Sequence, residues 1–317
     1  LSRQLLAMGG NHTQTEFVLL GITDSPHVQP LLFGLFLLIY VVTLVGNVGV
    51  MVLVWLVPNL HTPMYFFLAH FSFADVCYST VISPRMLVDL LVEKKTISFA
   101  GCVTQCHGFA FFGTAKCHLL AAMAYDRHVA ICHPLLYVTV ISGRVCRQLA
   151  ASSYLVAFLS AVVYTSCTFG GPFCGPNRID HFFCDLIPVL KLRCSGTRGS
   201  EMVIVAVVAV NVVGTSATVL LSYIRILQTV LRMSSAPSRS RAFNTCASHL
   251  TAVSLFYGTI FFMYLQLVSS HRRLDKVASV VYTVVTPMLN PFIYSLRNKE
   301  VKGALGKCRR RMLNSCR

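Results

Sequence analysis

Two ionisable side chains, Asp75 and Lys116, stand inside long apolar runs of this 317-residue chain. A second pair, Asp126 and Arg127, stands at the end of one such run. A charge in apolar surroundings is costly unless it is paired, so residues of this kind mark functional positions. The sequence contains no nucleophile beside a base, no pair of catalytic carboxylates and no glycine-rich phosphate loop. We therefore expect a protein that is not an enzyme and that uses no cofactor.

The composition limits the class of protein that can position such residues. The chain is 55% hydrophobic and 12% charged, with a mean hydropathy of +0.66, whereas about 25% of the residues in a soluble domain are charged. Intrinsic disorder requires low hydrophobicity, and 13 cysteines are too dilute for a small disulfide-bonded scaffold. An integral membrane protein is the class that remains.

Long stretches of the chain contain no Asp, Glu, Lys or Arg: 25–74, 148–177, 202–224, 242–271 and 277–296. A transmembrane helix needs about 20 mostly apolar residues, and these continuous runs differ from the alternating pattern of barrel strands. We therefore predict an all-α membrane protein, a seven-transmembrane helix bundle. The predicted spans cover residues 31–57, 62–88, 102–128, 145–168, 201–231, 242–267 and 276–296.

The distribution of positive charge favours an N-terminus outside the cell. With that orientation, 15 Lys and Arg residues lie in cytoplasmic segments and 11 in exterior ones, in the direction of the positive-inside rule. The predicted parts are an extracellular tail over 1–30, a helical domain over 31–297 and a cytoplasmic segment over 298–317. Residues 1–30 lack the continuous apolar core of a secretory signal, so the first span is expected to act as an uncleaved anchor.

Asn11 begins an N-glycosylation acceptor tripeptide, Asn-His-Thr, which agrees with an extracellular tail. A chain that started at Met8 would instead match the N-myristoylation pattern. That modification requires a cytosolic N-terminus, which the charge distribution opposes.

Cysteines gather on the predicted outer side. Cys174, Cys184 and Cys194 lie in the segment that joins the fourth and fifth spans, and Cys102 lies at the outer end of the third span. An oxidising exterior favours disulfides, although buried free thiols are the alternative. His181 and Cys184 could together bind a soft metal ion, but a cysteine in a disulfide offers no thiolate. We therefore predict no metal site.

The C-terminal residues 298–308 predict a short amphipathic eighth helix. Val301, Leu305 and Cys308 share one face, and lysines occupy the other. The basic residues that follow favour contact with membrane lipids of an anionic leaflet. The positive charge of the whole chain is spread over both sides of the membrane, so no nucleic-acid partner is predicted.

Helical periodicity places Phe109, Gly113, Lys116 and Arg127 on one inward stripe of the third span. The outer half of the bundle is therefore expected to enclose an apolar cavity. Core packing is the alternative role for any one aromatic residue of this set. The candidate ligand-binding residues are Cys106, Phe109, Ala110, Gly113, Thr114, Val207, Asn211, Tyr257, Ile260, Tyr264 and Thr283.

Six motifs occur in order along the predicted spans. They are Gly46-Asn47, Pro63-Met64-Tyr65-Phe66-Phe67-Leu68, the decapeptide from Met123 to Cys132, Ser222-Tyr223, the decapeptide from Arg241 to Leu250, and the octapeptide from Pro287 to Tyr294. Together they closely resemble the olfactory receptors, a branch of the rhodopsin-like G-protein-coupled receptors. The resemblance covers roughly residues 16–305.

The resemblance implies a plasma-membrane receptor that activates a heterotrimeric G protein of the stimulatory, olfactory type and raises cyclic AMP. The candidate pocket contains no carboxylate or Arg, so a small, neutral, mostly apolar volatile ligand fits it best. The resemblance further implies that Cys102 pairs with Cys184 and Cys174 with Cys194. It also implies a coupling switch formed by Asp126, Arg127, Tyr223, Asn290 and Tyr294.

The sequence departs from the family at three positions: His128 replaces the usual Tyr, Arg241 the usual Lys and Lys116 the usual Glu. Related receptors place two carboxylates in the middle of the bundle, where they can hold a sodium ion. Asp75 matches the first carboxylate, and Lys116 occupies the position of the second. Pairing of Lys116 with Asp75, or a neutral Lys, is expected, and the alternative is a lysine that reaches a water pocket. Our hypothesis is that Lys116 replaces the sodium ion with a fixed cation.

Two other functions were weighed against an odorant receptor. The first alternative is a non-olfactory chemosensory receptor of the same fold. A transporter or channel would show internal repeats or several intramembrane charges along a path, and this sequence shows neither.

Overall fold

The computed structural model of the chain describes residues 15–23, 25–174, 176–194, 196–269 and 272–297, together with Gly303. The glycosylation acceptor Asn11, the side chain of Tyr264 and the predicted eighth helix apart from Gly303 lie outside the described residues.

Within the described residues, seven long helical segments follow one another, and the predicted helix bundle is confirmed. Their bounds are α1 Gln29–Leu56, α2 Pro63–Asp89, α3 Phe99–Cys132, α4 Gly143–Phe169, α5 Thr197–Arg232, α6 Ala236–Ser269 and α7, which combines a helix over Arg272–Val280, a π-helical turn over Val281–Val285 and a helix over Thr286–Arg297. Each predicted span overlaps one of them. The largest difference at a helix end is in α6, which begins more than one turn before residue 242.

Among the described residues, six of these helices are long and apolar enough to cross a membrane. The helix that falls short is α3, which carries Gln105, His107, Lys116 and His118 along its length. Its position explains how it tolerates them, because α3 packs against α2, α4 and α5 in the centre of the bundle. Polar groups on a central helix face other helices rather than lipid.

Local sequence signals explain where several helices begin and meet. Pro63 occupies the first turn of α2, where a missing N–H costs nothing. The side chains of Ser98 and Ser142 cap α3 and α4 by accepting backbone N–H bonds. At Gly46 a Cβ atom would lie only 3.0 Å from the ring of Pro291. The glycine therefore permits the close approach of α1 and α7.

One end of the bundle, which we call the outer end, carries a small three-stranded sheet that the sequence did not predict. Its strands are β1 Glu16–Leu19, β2 Thr96–Ser98 and β3 Arg178–Ile179, in the order β2-β1-β3. β1 pairs antiparallel with β2 and parallel with β3. Phe17 and Leu19 are buried beneath it. We use the name lid for this sheet together with the loop between α4 and α5. Residues 16–19 of the predicted N-terminal tail are therefore part of the lid.

Two disulfides and one ion pair fasten this lid. Cys102 at the start of α3 bonds to Cys184, and Cys174 bonds to Cys194 within the loop between α4 and α5. The ammonium of Lys276 on α7 lies 2.8 Å from Asp180 and donates to the carbonyl of Gly21. The lid thus joins the N-terminal segment, the long outer loop and α7.

Candidate functional site

The outer half of the bundle contains a cluster of aromatic rings beneath the lid. Phe109 on α3 lies with its ring centroid 4.9 Å from Phe183 of the lid, 5.5 Å from Tyr78 on α2 and 6.1 Å from Tyr282 on α7. A Cβ atom at Gly113 would lie 3.2 Å from the hydroxyl of Tyr282. The glycine on α3 therefore makes room for the tyrosine on α7.

Other predicted ligand residues surround this cluster. Tyr257 on α6 is buried and donates to the carbonyl of Cys117 at 3.4 Å, and Ile260 is buried one turn later. Thr283 lies in the π-helical turn of α7 and donates to the carbonyl of Ser279 at 2.6 Å. Irregular turns of this type occur often at functional sites, because they re-aim side chains.

The remaining candidates occupy four further places. Cys106 lies in the apolar cluster under the sheet, Ala110 packs with residues of α4 and α5, and Thr114 is buried on α3. Val207 and Asn211 instead line a cavity of about 480 Å³ between α3, α4 and α5. The structure therefore separates these two residues from the aromatic cluster.

The lid contributes a buried histidine to the roof of the cluster. His181 packs against Phe182 and Phe183, and its Nε2 lies 3.2 Å from the hydroxyl of Ser279. Burial and, to a smaller extent, the nearby Lys276 lower the pKa of His181 to about 3. The imidazole is therefore neutral and offers no charge to an acidic ligand. Among the described residues, no three His, Cys, Asp or Glu side chains are grouped to hold a metal ion.

A charged pair lies in the middle of the bundle. The ammonium of Lys116 is 2.7 Å from one carboxylate oxygen of Asp75, and both side chains are fully buried. The amide of Asn290 on α7 donates to the other oxygen of Asp75 at 2.7 Å. One carboxylate thereby connects α2, α3 and α7.

Aromatic rings complete the surroundings of Lys116. Its Nζ lies 4.7 Å from the ring centroid of Tyr78, 5.3 Å from Phe256 and 5.6 Å from Phe71. Ring faces attract cations, so these contacts supplement the single carboxylate partner. The structure places Lys116 within the bundle core rather than in contact with solvent.

A second charged pair lies at the end of α3 that is farther from the lid. Arg127 donates to one oxygen of Asp126 at 2.9 Å, and the phenol of Tyr137 donates to the other at 2.8 Å. Burial and the neighbouring Asp126 carboxylate raise the pKa of Tyr137, so the phenol keeps the proton that it donates. Asp126 therefore binds Arg127 and is itself bound by Tyr137, which belongs to the segment between α3 and α4.

The other residues of the predicted switch have different partners. The hydroxyl of Tyr223 on α5 lies 2.6 Å from Nδ1 of His249 on α6, and the two rings stack. Tyr294 on α7 packs edge-to-face against Phe71, while Asn290 binds Asp75. These contacts connect α5 to α6 and α7 to α2, and Arg127 takes part in none of them.

Comparison with known proteins identifies the family. The model of the olfactory receptor family matches residues 36–312. Olfactory receptor 5AP2 of Mus musculus is 53% identical over 92% of this chain and 93% of its own, and olfactory receptor 8B3 of Homo sapiens is 48% identical over 94% and 95%. The chain belongs to the olfactory receptor family.

The fold of the receptor agrees with this assignment. Squid rhodopsin superposes on 90% of the receptor and 81% of the rhodopsin chain with a TM-score of 0.71 at 18% sequence identity. The receptor thus has the rhodopsin fold. Its membership of the olfactory receptor family makes it a signalling receptor and not an enzyme.

Several residues of the receptor's site were missed by sequence reasoning. Tyr78, Phe256 and Tyr282 surround Lys116 or Phe109, yet they belong to apolar runs in which every aromatic residue looks alike. Tyr137 and His249 were also missed. For these two, a polar side chain at the inner end of an apolar span was the signal that could have identified them.

Proposed function

We propose that the receptor binds a small, neutral, mostly apolar volatile molecule in the outer half of the bundle and activates a stimulatory G protein that raises cyclic AMP. The observation that carries this proposal is the course of α3. The same helix presents Phe109 to an uncharged aromatic cluster and Arg127 to the opposite end of the bundle. A change in packing at one end is thereby coupled to the other.

The chemistry of the outer cluster supports an uncharged ligand. Phe109, Gly113, Ile260 and Thr283 carry no charge, and Tyr257 adds a phenol that can exchange its partner for a ligand oxygen. Deeper in the bundle, the charges of Lys116 and Asp75 neutralise each other. An ammonium or carboxylate ligand would leave its charge unpaired in this apolar space.

Arg127 supports the coupling step. In the resting arrangement its guanidinium is held by Asp126 and is almost fully buried. A ligand that binds more tightly to a second arrangement shifts the population toward it. We propose that α6 swings outward in that arrangement, that Arg127 then meets the G protein, and that Tyr223, Asn290 and Tyr294 exchange their present partners to stabilise it.

The inner loop between α3 and α4 provides a surface for that partner. Leu135 is 96% exposed and Val138 is 80% exposed, within two turns of helix that follow α3 directly. Exposed apolar groups beside a functional arginine are typical of a protein-docking surface. Tyr137 lies between them and holds Asp126, so docking there acts on the pair that restrains Arg127.

The proposed function also implies how the receptor is oriented in the membrane. The two lid disulfides require an oxidising compartment, which favours the plasma membrane with the lid and the segment 1–30 outside. Glycosylation at Asn11 belongs to that side. The receptor domain over 31–297 then places the segment 298–317 in the cytoplasm, where its basic residues contact membrane lipids.

A panel of volatile molecules, read by cyclic AMP in transfected cells, tests the proposal. We expect responses to neutral alcohols, esters or aldehydes and none to amines or carboxylic acids of the same length. Arg127→Ala should abolish the response at matched surface level. Ligand-driven ion flux without cyclic AMP would favour a transporter or channel, and a response restricted to non-volatile ligands would indicate a non-olfactory chemosensory receptor.

A further inference from the structure

The cavity between α3, α4 and α5 lies apart from the aromatic cluster. Its volume is about 480 Å³, which is within the range of small-molecule sites. Small apolar residues such as Ala121, Ala206 and Gly214 form much of its wall. Val156 and Val210 at its rim are 38% and 74% exposed. The cavity therefore opens on the outer surface of the bundle, which faces lipid in a membrane.

Three polar side chains from three helices meet at this cavity. Asn211 on α5 donates through Nδ2 to the carbonyl of Val207 at 2.8 Å and to the hydroxyl of Ser160 on α4 at 3.1 Å. Its Oδ1 lies 2.8 Å from Nε2 of His118 on α3. An amide oxygen can only accept, so Nε2 of His118 carries the proton and donates it.

This arrangement leaves one hydrogen-bond acceptor, on His118, and one hydrogen-bond donor, on Ser160, for an occupant of the cavity. In the tautomer that donates through Nε2, Nδ1 is an acceptor, and the hydrogen bond of His118 to another described residue is the one that Nε2 makes. The Ser160 hydroxyl accepts from Asn211, and its own proton meets no acceptor among the described residues. A hydroxyl group, which both donates and accepts, satisfies both atoms. The cavity lining carries no carboxylate, Lys or Arg, so its occupant is neutral.

The position of His118 and Asn211 along their helices limits which molecules can reach them from the bilayer. His118 on α3 and Asn211 on α5 each lie roughly 20 Å along the helix from its nearer end, at 1.5 Å per residue. The hydrocarbon core of a bilayer is about 30 Å thick, with the polar headgroups outside it. A phospholipid headgroup therefore does not reach these atoms. A small molecule dissolved in the hydrocarbon core does.

We propose that this cavity is a second binding site of the receptor, entered sideways from the bilayer, for a small neutral alcohol. The apolar body of the alcohol lies against the alanines and valines between α4 and α5. Its hydroxyl donates to Nδ1 of His118 and accepts from Ser160. The site adjoins the proposed outer pocket, because Thr215 in the cavity lining hydrogen-bonds to Tyr257, and its occupation does not depend on coupling to a G protein.

Photolabelling of the purified full-length receptor in nanodiscs tests this site directly. The probe is a medium-chain primary alcohol that carries a diazirine, and its partner is the same diazirine on an alkane without the hydroxyl. We expect the alcohol to label peptides that contain Val156 or Val210, and we expect 1-octanol but not octane to compete. Photolabelling needs no G protein, so a receptor that fails to raise cyclic AMP can still show that the site is occupied.

Two substitutions with matched controls sharpen the test. A side chain at Gly214 would meet no atom within 4 Å of its Cβ, so Gly214→Phe fills the cavity and should abolish labelling, whereas Gly34→Phe on the lipid-facing surface of α1 should not. Ser160→Ala should weaken competition by octanol roughly 3- to 10-fold, because one hydrogen bond is lost. The control Ser152→Ala, on the exposed face of α4, should leave it unchanged.

Equal labelling by the alcohol and the alkane would overturn the proposal, because it would show an apolar groove without hydroxyl recognition. Labelling that survives Gly214→Phe would overturn it as well, by placing the probe elsewhere. Loss of labelling in Gly214→Phe together with weakened octanol competition in Ser160→Ala would support it.

Discussion

The ammonium of Lys116 lies 2.7 Å from the carboxylate of Asp75, and neither side chain is exposed. Each residue is therefore the main electrostatic partner of the other, with Asn290 and three aromatic rings in support. Removal of one member leaves a buried charge without its partner, and removal of both does not. This asymmetry is the basis of the first prediction.

Lys116→Met and Asp75→Asn should each destabilise the receptor by about 3–5 kcal/mol, the usual cost of breaking a buried ion pair. The double variant should lose less than the sum of the two. Thermal unfolding of the three variants in detergent, together with surface expression, measures this coupling. Asp180→Asn is the control, because its pair with Lys276 is partly exposed and should be worth about 1 kcal/mol or less. Additive losses at positions 75 and 116 would show that the pair contributes nothing as a pair.

The second prediction concerns sodium. The Lys116 ammonium occupies the position beside Asp75 that a bound cation would take, so basal and ligand-driven cyclic AMP should be insensitive to extracellular sodium. Lys116→Glu removes the fixed cation and adds a carboxylate, and this variant should respond to sodium. Replacement of sodium by choline at constant ionic strength is the measurement. A sodium response in the unmodified receptor would refute the replacement hypothesis.

The third prediction concerns the lid. Cys102→Ser breaks the disulfide to Cys184, whose backbone N–H also binds Gln105 on α3 at 2.9 Å. We expect a loss of about 2–5 kcal/mol, as for native disulfides in small domains, and retention inside the cell. Surface labelling compares it with Cys167→Ser, which removes a free, half-buried thiol. Normal surface expression and response of Cys102→Ser would contradict this role of the disulfide.

The fourth prediction concerns pH. The pKa of His181 is about 3 in the folded lid, and about 6.5 is usual for an exposed histidine. Because the folded pKa is depressed, the unfolded state binds more protons below pH 6.5, and stability falls as the pH decreases toward 3. Lowering the pH from 7.5 to 5.5 should cost about 1 kcal/mol through this residue.

His181→Gln keeps a polar side chain opposite Ser279 but does not titrate. Its unfolding temperature should therefore fall less than that of the unmodified receptor over the same pH interval. The neighbouring ion pair of Lys276 and Asp180 is present in both proteins, so its contribution cancels in the comparison. Parallel pH profiles for the two proteins would show that His181 is not buried in this way.

Long, regular patterns in the sequence predicted the helical spans and the inward face of α3. Continuous apolar runs gave seven spans, and the inward stripe of α3 correctly brought Phe109, Gly113 and Lys116 inside the bundle. The sheet was missed because strands of two to four residues carry too little periodicity. On α5, Val207 and Asn211 were predicted to bind a ligand, and they line the cavity between α3, α4 and α5. That helix is apolar on nearly every side, so its sequence does not indicate which face turns inward.

The π-helical turn at Val281–Val285 has a consequence for the angular phase of α7. Such a turn holds one residue more than an α-helical turn, so every later side chain is rotated by roughly 100° about the helix axis. The two halves of α7 are therefore out of phase. Thr283 faces one set of neighbours, and Asn290 is turned to meet Asp75. If this turn were wound as a regular α-helix with no residue removed, Asn290 would point away from the carboxylate, whereas deletion of one residue in the turn would give a regular helix that still directs Asn290 at Asp75.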